Sequence, residues 1–238
     1  MFKINLEDFV KKLSQEDFAR KIDHTMLKPN ADLRQFEKAC YEAVKYGFVA
    51  CVVPPWFVER AKKIVKDAVK VATVIGFPHG NTTKRAKLVE ARDVLEKGAE
   101  EIDMVMNINA FKSGLYELVE DEIAEIVDTA REYNALVKVI IETAYLTDEE
   151  KIRAALIIKK VKADYVKTST GFASRGATIH DVILLKKTVG DVVRVKAAGG
   201  IRHLEDAVAM ILAGADRIGT SSGVQIMEEY LKLHRSLK

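Results

Sequence analysis

Two lysines stand where a lysine is least comfortable. Lys167 in YVKTSTG and Lys196 in VRVKAAGG each lie near the end of a run that reads as a buried strand. Strand period two puts Tyr165 with Lys167 on one face, and Arg194 with Lys196 on one face of the following strand. With those faces turned inward, both amines reach the upper mouth of whatever the strands enclose, and Arg194 shares that inward face. At an effective dielectric of about 20, two ammonium groups about 6 Å apart repel by roughly 2.8 kcal/mol, or about two pKa units. Desolvation adds to this, bringing one amine from about 10.4 towards 7. An amine that is neutral at physiological pH is a nucleophile able to form a Schiff base with a carbonyl.

A proton-transfer group belongs beside such an amine. Asp103 in EIDMVMN, set among Ile102, Met104 and Val105, is costly to bury without cationic or hydrogen-bonding partners, and it is the candidate proton shuttle and counter-ion. Glu142, ending VIIET, is a second carboxylate expected at the same mouth and ranks below Asp103. AAGGI (197 to 201) and GTSSGV (219 to 224) offer free N–H groups and a helix start, which suit a phosphate; a plain serine cap on the last helix is the simpler alternative. Asp23 and His24 end the first strand in IDHTML. Phe77 and Pro78 in GFPHGN supply a possible apolar wall.

The elements that must position these residues alternate along the chain. Val- and Ile-rich runs at 21 to 27, 48 to 53, 70 to 76, 101 to 107, 136 to 142, 164 to 169, 192 to 197 and 216 to 220 read as strands. Segments such as 31 to 46, 83 to 97, 112 to 134, 147 to 162, 203 to 213 and 222 to 235 carry the three-and-four spacing of amphipathic helices. This alternation implies parallel pairing with helical crossovers. Eight units in 238 residues predict an α/β chain folded as a (β/α)₈ barrel, one domain over 1–238, with an extra N-terminal helix at about 6 to 20 closing its lower end. A doubly wound sheet is the rival fold, but the first strand runs into DHTMLKPN without a glycine. The glycines gather late, at 199, 200, 219 and 223, where barrels build phosphate sites.

Composition narrows the classes further. Lys plus Arg is 38 and Asp plus Glu is 35, interspersed, which argues against a nucleic-acid partner. The uncharged stretch 46 to 58 contains two prolines and is only 13 residues long, against the roughly 18 or more needed to span a membrane. The start, MFKINLEDFVKKL, lacks the apolar core of a secretory signal, so a cytoplasmic protein is expected. Cys40 and Cys51 are too few for a disulfide framework and lack metal-ligand spacing. Three Gln and six Asn beside abundant charge lean towards a heat-adapted source.

Taken in order from residue 22 to 223, IDHTML, the cysteine in ACVVPPWFV, GFPHGNTT, EIDMVMN, KVIIET, VKTSTGF, VKAAGGI and RIGTSSG closely resemble the 2-deoxyribose-5-phosphate aldolase family. The resemblance implies a metal-independent class I aldolase, with no cofactor, that cleaves 2-deoxy-D-ribose 5-phosphate to acetaldehyde and D-glyceraldehyde 3-phosphate in deoxyribonucleotide catabolism. It makes Lys167 the Schiff-base lysine, Lys196 the neighbour that depresses its pKa, and Asp103 the acid/base acting with water. It also places Gly171, Gly199, Gly200, Gly219, Ser221 and Ser222 near the phosphate, and Asp23, Thr25 and Thr168 among the substrate contacts. A small sugar phosphate is the implied partner, and a homodimer or homotetramer the implied assembly. Where some relatives carry a lysine after TSTG this chain has Phe172, with Arg175 as a possible replacement. The chain ends HRSLK, so proton transfer by a terminal tyrosine is not carried over. Another phosphosugar aldolase or isomerase barrel, or a silent sugar-phosphate-binding barrel, is the alternative.

Overall fold

The computed structural model describes residues 5–237. Eight parallel strands follow one another around a closed barrel: β1 (Ile22–Thr25), β2 (Ala50–Val53), β3 (Lys70–Ile75), β4 (Glu101–Val105), β5 (Leu136–Ile140), β6 (Tyr165–Lys167), β7 (Arg194–Ala198) and β8 (Arg217–Thr220), with β8 returning to pair with β1. Each strand is shorter than its Val/Ile run, because the ends of those runs become the loops that carry the polar residues. The helices are α1 (Leu6–Lys12), α2 (Gln15–Ala19), α3 (Leu33–Tyr46), α4 (Val58–Val65), α5 (Lys84–Glu96), α6 (Ile108–Lys112), α7 (Tyr116–Glu132), α8 (Asp148–Lys160), α9 (Ile179–Val189), α10 (Leu204–Leu212) and α11 (Gly223–Ser236).

Local chemistry sets the boundaries. Asp32 and Gln35 form a capping box at the start of α3, and Gly47 ends that helix in the left-handed conformation that glycine adopts without strain. Thr147 and Glu150 box the start of α8 in the same way. The single N-terminal helix expected over 6 to 20 is two helices. Leu13 is extended and Ser14 caps a second start by accepting from the Asp17 N–H. This pair packs against α10 and α11, where Phe18 stacks on Tyr230 and the Tyr230 hydroxyl donates to the Leu13 carbonyl. Lys238, the last residue of the HRSLK tail, lies outside the described residues.

Outward-facing strand residues such as Ile22, Cys51, Val53, Ile102 and Val139 join the inner faces of the helices in one apolar core. The barrel interior is divided. Ala50, Val52 and Ala72, from β2 and β3, form a small apolar patch on one side. Asp23, Glu101, Asp103, Lys138, Lys167, Lys196 and Arg217 are buried together on the other. The short side chains of the first group leave room for long charged ones to cross the axis. Among the described residues no helix is long and apolar enough to cross a membrane.

Candidate active site

Register brings the reactive groups together. Asp103 on β4 pairs with Lys138 on β5, and Lys167 on β6 pairs with Lys196 on β7. Asp103 is the hub. Its Oδ2 accepts from Lys167 Nζ at 2.8 Å and Lys196 Nζ at 2.7 Å, and its Oδ1 accepts from Lys138 Nζ at 2.8 Å. Gly219 is needed beside Lys196, because a Cβ there would come within 2.9 Å of Lys196 Cε.

Burial is the largest influence on Lys167 and pulls its amine down to about 8. The Asp103 carboxylate opposes that fall, and the ammonium groups of Lys196 and then Lys138 reinforce it. Burial thus outranks repulsion from Lys196, the reverse of the order expected from the spacing of the two lysines. Asp103 is also penalised by burial, yet Lys138, Lys167 and Lys196 together hold it well below the usual carboxylate range. Lys138 behaves in the opposite sense to Lys167. Burial works against its charge, but Asp103, Glu101 and Asp23 surround it and hold it above the usual lysine value.

Above Lys167 opens a pocket of about 350 Å³. Six of the residues expected at the substrate line it: Thr25, Gly171, Gly199, Gly200, Gly219 and Ser221. Gly199 has φ +85°, and the Cβ that Gly176 lacks would fall 2.1 Å from the Gly199 carbonyl oxygen, so the loop after β6 lies directly on the AAGG turn. Three expected contacts fall elsewhere. Asp23 is fully buried beneath the pocket, its Oδ2 2.5 Å from Lys196 and its Oδ1 3.1 Å from Arg217. Thr168 is also fully buried; its hydroxyl accepts from the Ala198 N–H and so ties β6 to β7. Ser222 lies on a neighbouring groove with His24 and Gln225, and its N–H donates to the Thr220 hydroxyl. Nor does Ser222 cap α11 through its side chain.

Other expectations resolve in the same way. Arg194 reaches the lower mouth, where its guanidinium covers the Tyr165 ring at 4.1 Å, which explains a cation on the inward face. Arg175 is committed to Asp181 and the Thr143 carbonyl, away from the pocket. Glu142 is buried and accepts from the N–H and hydroxyl of Thr170, which holds the 168–172 loop. His24 faces outward, bonded to Glu42. Phe172 lines the pocket and meets Phe77 edge to face at 5.4 Å.

Sequence reasoning missed Lys138, Glu101, Arg217, Lys28 and Arg202. The first three carried the signal that was used for Lys167, a charge within an apolar strand. Glu101 and Arg217 also stand two residues from Asp103 and Gly219, on the same faces. Lys28 and Arg202 are exposed loop cations on the pocket rim, and their types and spacing carry no signal.

A closed parallel barrel whose upper mouth holds a desolvated lysine beside a carboxylate defines the class of barrel enzyme equipped for covalent amine chemistry. Comparison with known proteins narrows the class. The profile of the DeoC/LacD family aldolases matches residues 18–229, and the chain belongs to that family. It is 53% identical over 224 residues to a deoxyribose-phosphate aldolase of Caldanaerobacter subterraneus subsp. tengcongensis, covering 93% of this chain and 97% of the relative. It is 55% identical to one from Thermococcus gammatolerans, covering 89% and 96%. Among solved structures, the tetrameric deoxyribose phosphate aldolase of Aeropyrum pernix superposes with a TM-score of 0.88 at 38% identity, covering 96% of this chain and 97% of that one.

Proposed function

We propose that this single-domain barrel is a class I aldolase that reversibly cleaves 2-deoxy-D-ribose 5-phosphate to acetaldehyde and D-glyceraldehyde 3-phosphate. The observation that carries the reading is the Lys167 amine, lowered to about 8 and facing the pocket while bonded to Asp103. Lys167 adds to the open-chain C1 aldehyde, and loss of water gives a protonated imine. The C2–C3 bond breaks with its electron pair flowing into that imine, which becomes an enamine. The C3 hydroxyl gives up its proton and leaves as the aldehyde of glyceraldehyde 3-phosphate. Protonation of the enamine at C2 and hydrolysis then release acetaldehyde and the free amine.

Asp103 is assigned as the group that moves these protons, through water. Three ammonium groups make it a weak base in the free enzyme, so it begins as the counter-ion of Lys167. It gains basicity when the protonated imine on Lys167 becomes the neutral enamine and that positive charge is lost. Backbone N–H groups around Gly171, Gly199, Gly200 and Ser221 are assigned to the phosphate, with Arg202 and Lys28 on the same rim supplying positive charge where Phe172 supplies none. A cytoplasmic homo-oligomer fits this reading. Exposed Tyr41 and Trp56 offer apolar surface for assembly, and the Aeropyrum relative is tetrameric.

The test is retro-aldol turnover of 2-deoxyribose 5-phosphate with EDTA present, followed by borohydride trapping and peptide mapping. Turnover with a reduced adduct on Lys167 is expected. An adduct on another residue, or none, would reject the assignment.

A further inference from the structure

The ion pairs below Asp103 form a closed path. Lys196, besides reaching Asp103, lies 2.5 Å from Asp23 Oδ2, and Asp23 Oδ1 meets Arg217 at 3.1 Å. Arg217 meets Glu101 Oε2 at 2.6 Å; that same oxygen meets Lys138 at 2.6 Å, and Lys138 returns to Asp103 Oδ1 at 2.8 Å. Three carboxylates and three cations from β1, β4, β5, β7 and β8 thus alternate around a ring that is neutral as a whole. Lys167 joins from β6 at one corner only, Asp103. Every member is buried, and in such surroundings a charge is tolerated only when it is matched. The fourth cation has to share a carboxylate that two others already use.

We propose that Glu101 and Arg217 are positioning residues of the aldol reaction, closing a charge-balanced ring beneath Asp103 that leaves Lys167 as the one cation without a carboxylate of its own. Neither residue lines the pocket, so both act through their neighbours. Removing the Glu101 charge makes the ring cationic, and Lys167 then gives up its proton more readily. Removing the Arg217 charge makes the ring anionic, and Lys167 holds its proton. The other groups facing this cluster do not rebalance it. Tyr165 lies below Lys167 on β6, with Arg217 and Arg194 over its ring, and Arg194 is 3.7 Å from Asp164 at the lower mouth. Ile140, the β5 residue in register with Lys167, is neutral. Glu142, beyond the end of β5, is held by Thr170, and Lys28 and Arg202 stand on the solvent-facing rim.

The inference rests on Lys167 being the reacting amine, which borohydride mapping of the unsubstituted enzyme tests first and separately. The pH profile of kcat/KM is then measured for Glu101→Gln, Arg217→Gln and the double variant. The acid limb should move to lower pH by about half a unit or more in Glu101→Gln and to higher pH by about as much in Arg217→Gln. It should return to within about 0.2 unit of the parent in the double variant, whose ring is again balanced. A merely structural role lowers activity and leaves the limb in place. A fixed limb, or one that moves in the same direction in both single variants, overturns the proposal while leaving the trapping result intact.

Lys167→Met is made alongside, in case a single variant does not fold. The proposal makes the ring neutral without Lys167, so the thermal midpoint of Lys167→Met at pH 6 should match or exceed the parent's. Because folding lowers Lys167 from 10.5 to about 8, the parent should then gain on the variant as pH rises across that window. A midpoint below the parent's at pH 6 overturns the charge balance on which the inference stands.

Discussion

Lys167 and Lys87 are both buried against carboxylates, and in both burial is the first cause pulling the amine down. Their surroundings differ in number and access. Lys87, on α5, meets a single carboxylate, Glu122 of α7, at 2.8 Å and donates also to the Val105 carbonyl at 2.9 Å. The pair lies between helix and strand, with Gly76 packed so closely that a Cβ would fall 2.7 Å from Lys87 Cε. Glu122 is pushed up by the same burial, so the two partners share its cost, one to one. Lys167 instead shares Asp103 with two other lysines and faces open space. A depressed amine becomes a nucleophile only where the charge count leaves it unmatched and a pocket admits a carbonyl.

The largest effect that distinguishes the two should come from Lys167→Met. Retro-aldol turnover should fall to background while the far-UV spectrum and cooperative melt persist, since no outer-core packing is lost. Near-normal turnover would place the chemistry elsewhere. Lys87→Met should do the reverse. Trapping at Lys167 and the acid limb should stay in place, but stability should fall by about 3–5 kcal/mol because Glu122 is left buried without its partner. Adding Glu122→Leu should restore much of that loss in a denaturant titration. If Lys87→Met folded normally yet stopped trapping, the distinction between matched and unmatched lysines would fail.

A subtler change sharpens the account of Lys167 itself. Lys196→Leu removes a cation that pushes the amine down and frees Asp103 to hold it more firmly, so both consequences raise the Lys167 value from about 8. The acid limb of kcat/KM should move up by about one unit, costing about tenfold at pH 7, where the neutral fraction falls about tenfold for each unit the amine rises. An unmoved limb would mean that Lys196 takes no part in depressing the amine.

Periodicity within each segment made the eight strands and the inward faces of Lys167, Lys196 and Asp103 legible, and the alternation of strand and helix segments did the same for the parallel pairing. What stayed hidden depends on which strands meet across the barrel. Lys138 reads as one polar residue in LVKVIIE until β4 and β5 are in register and place it opposite Asp103. Asp23 reads as a mouth residue until Arg217 and Lys196 draw its carboxylate down. Thr168 and Ser222 sit in motifs of the expected kind, but strand closure turns the hydroxyl of the first towards Ala198, and the second falls on the far side of the β8 turn. Local spacing names the face of a strand; the depth of a side chain on that face belongs to the closed barrel.

The rim of the pocket supplies the smallest predicted effect and a contrast with the interior. Arg202 is exposed, and its N–H is bonded to Asp206 at 3.0 Å, which fixes the backbone of a residue that lines the pocket together with Gly200 and Ser221. A cation there meets a phosphate in partial solvent, so its contribution is that of a single exposed ion pair. Arg202→Met should therefore raise KM for 2-deoxyribose 5-phosphate by about 2–5-fold, with little change in kcat or in the acid limb. Unphosphorylated 2-deoxyribose should react with the variant as it does with the parent. Equal losses on both substrates would remove Arg202 from the phosphate end and give its charge a part in the chemistry that its exposed position opposes.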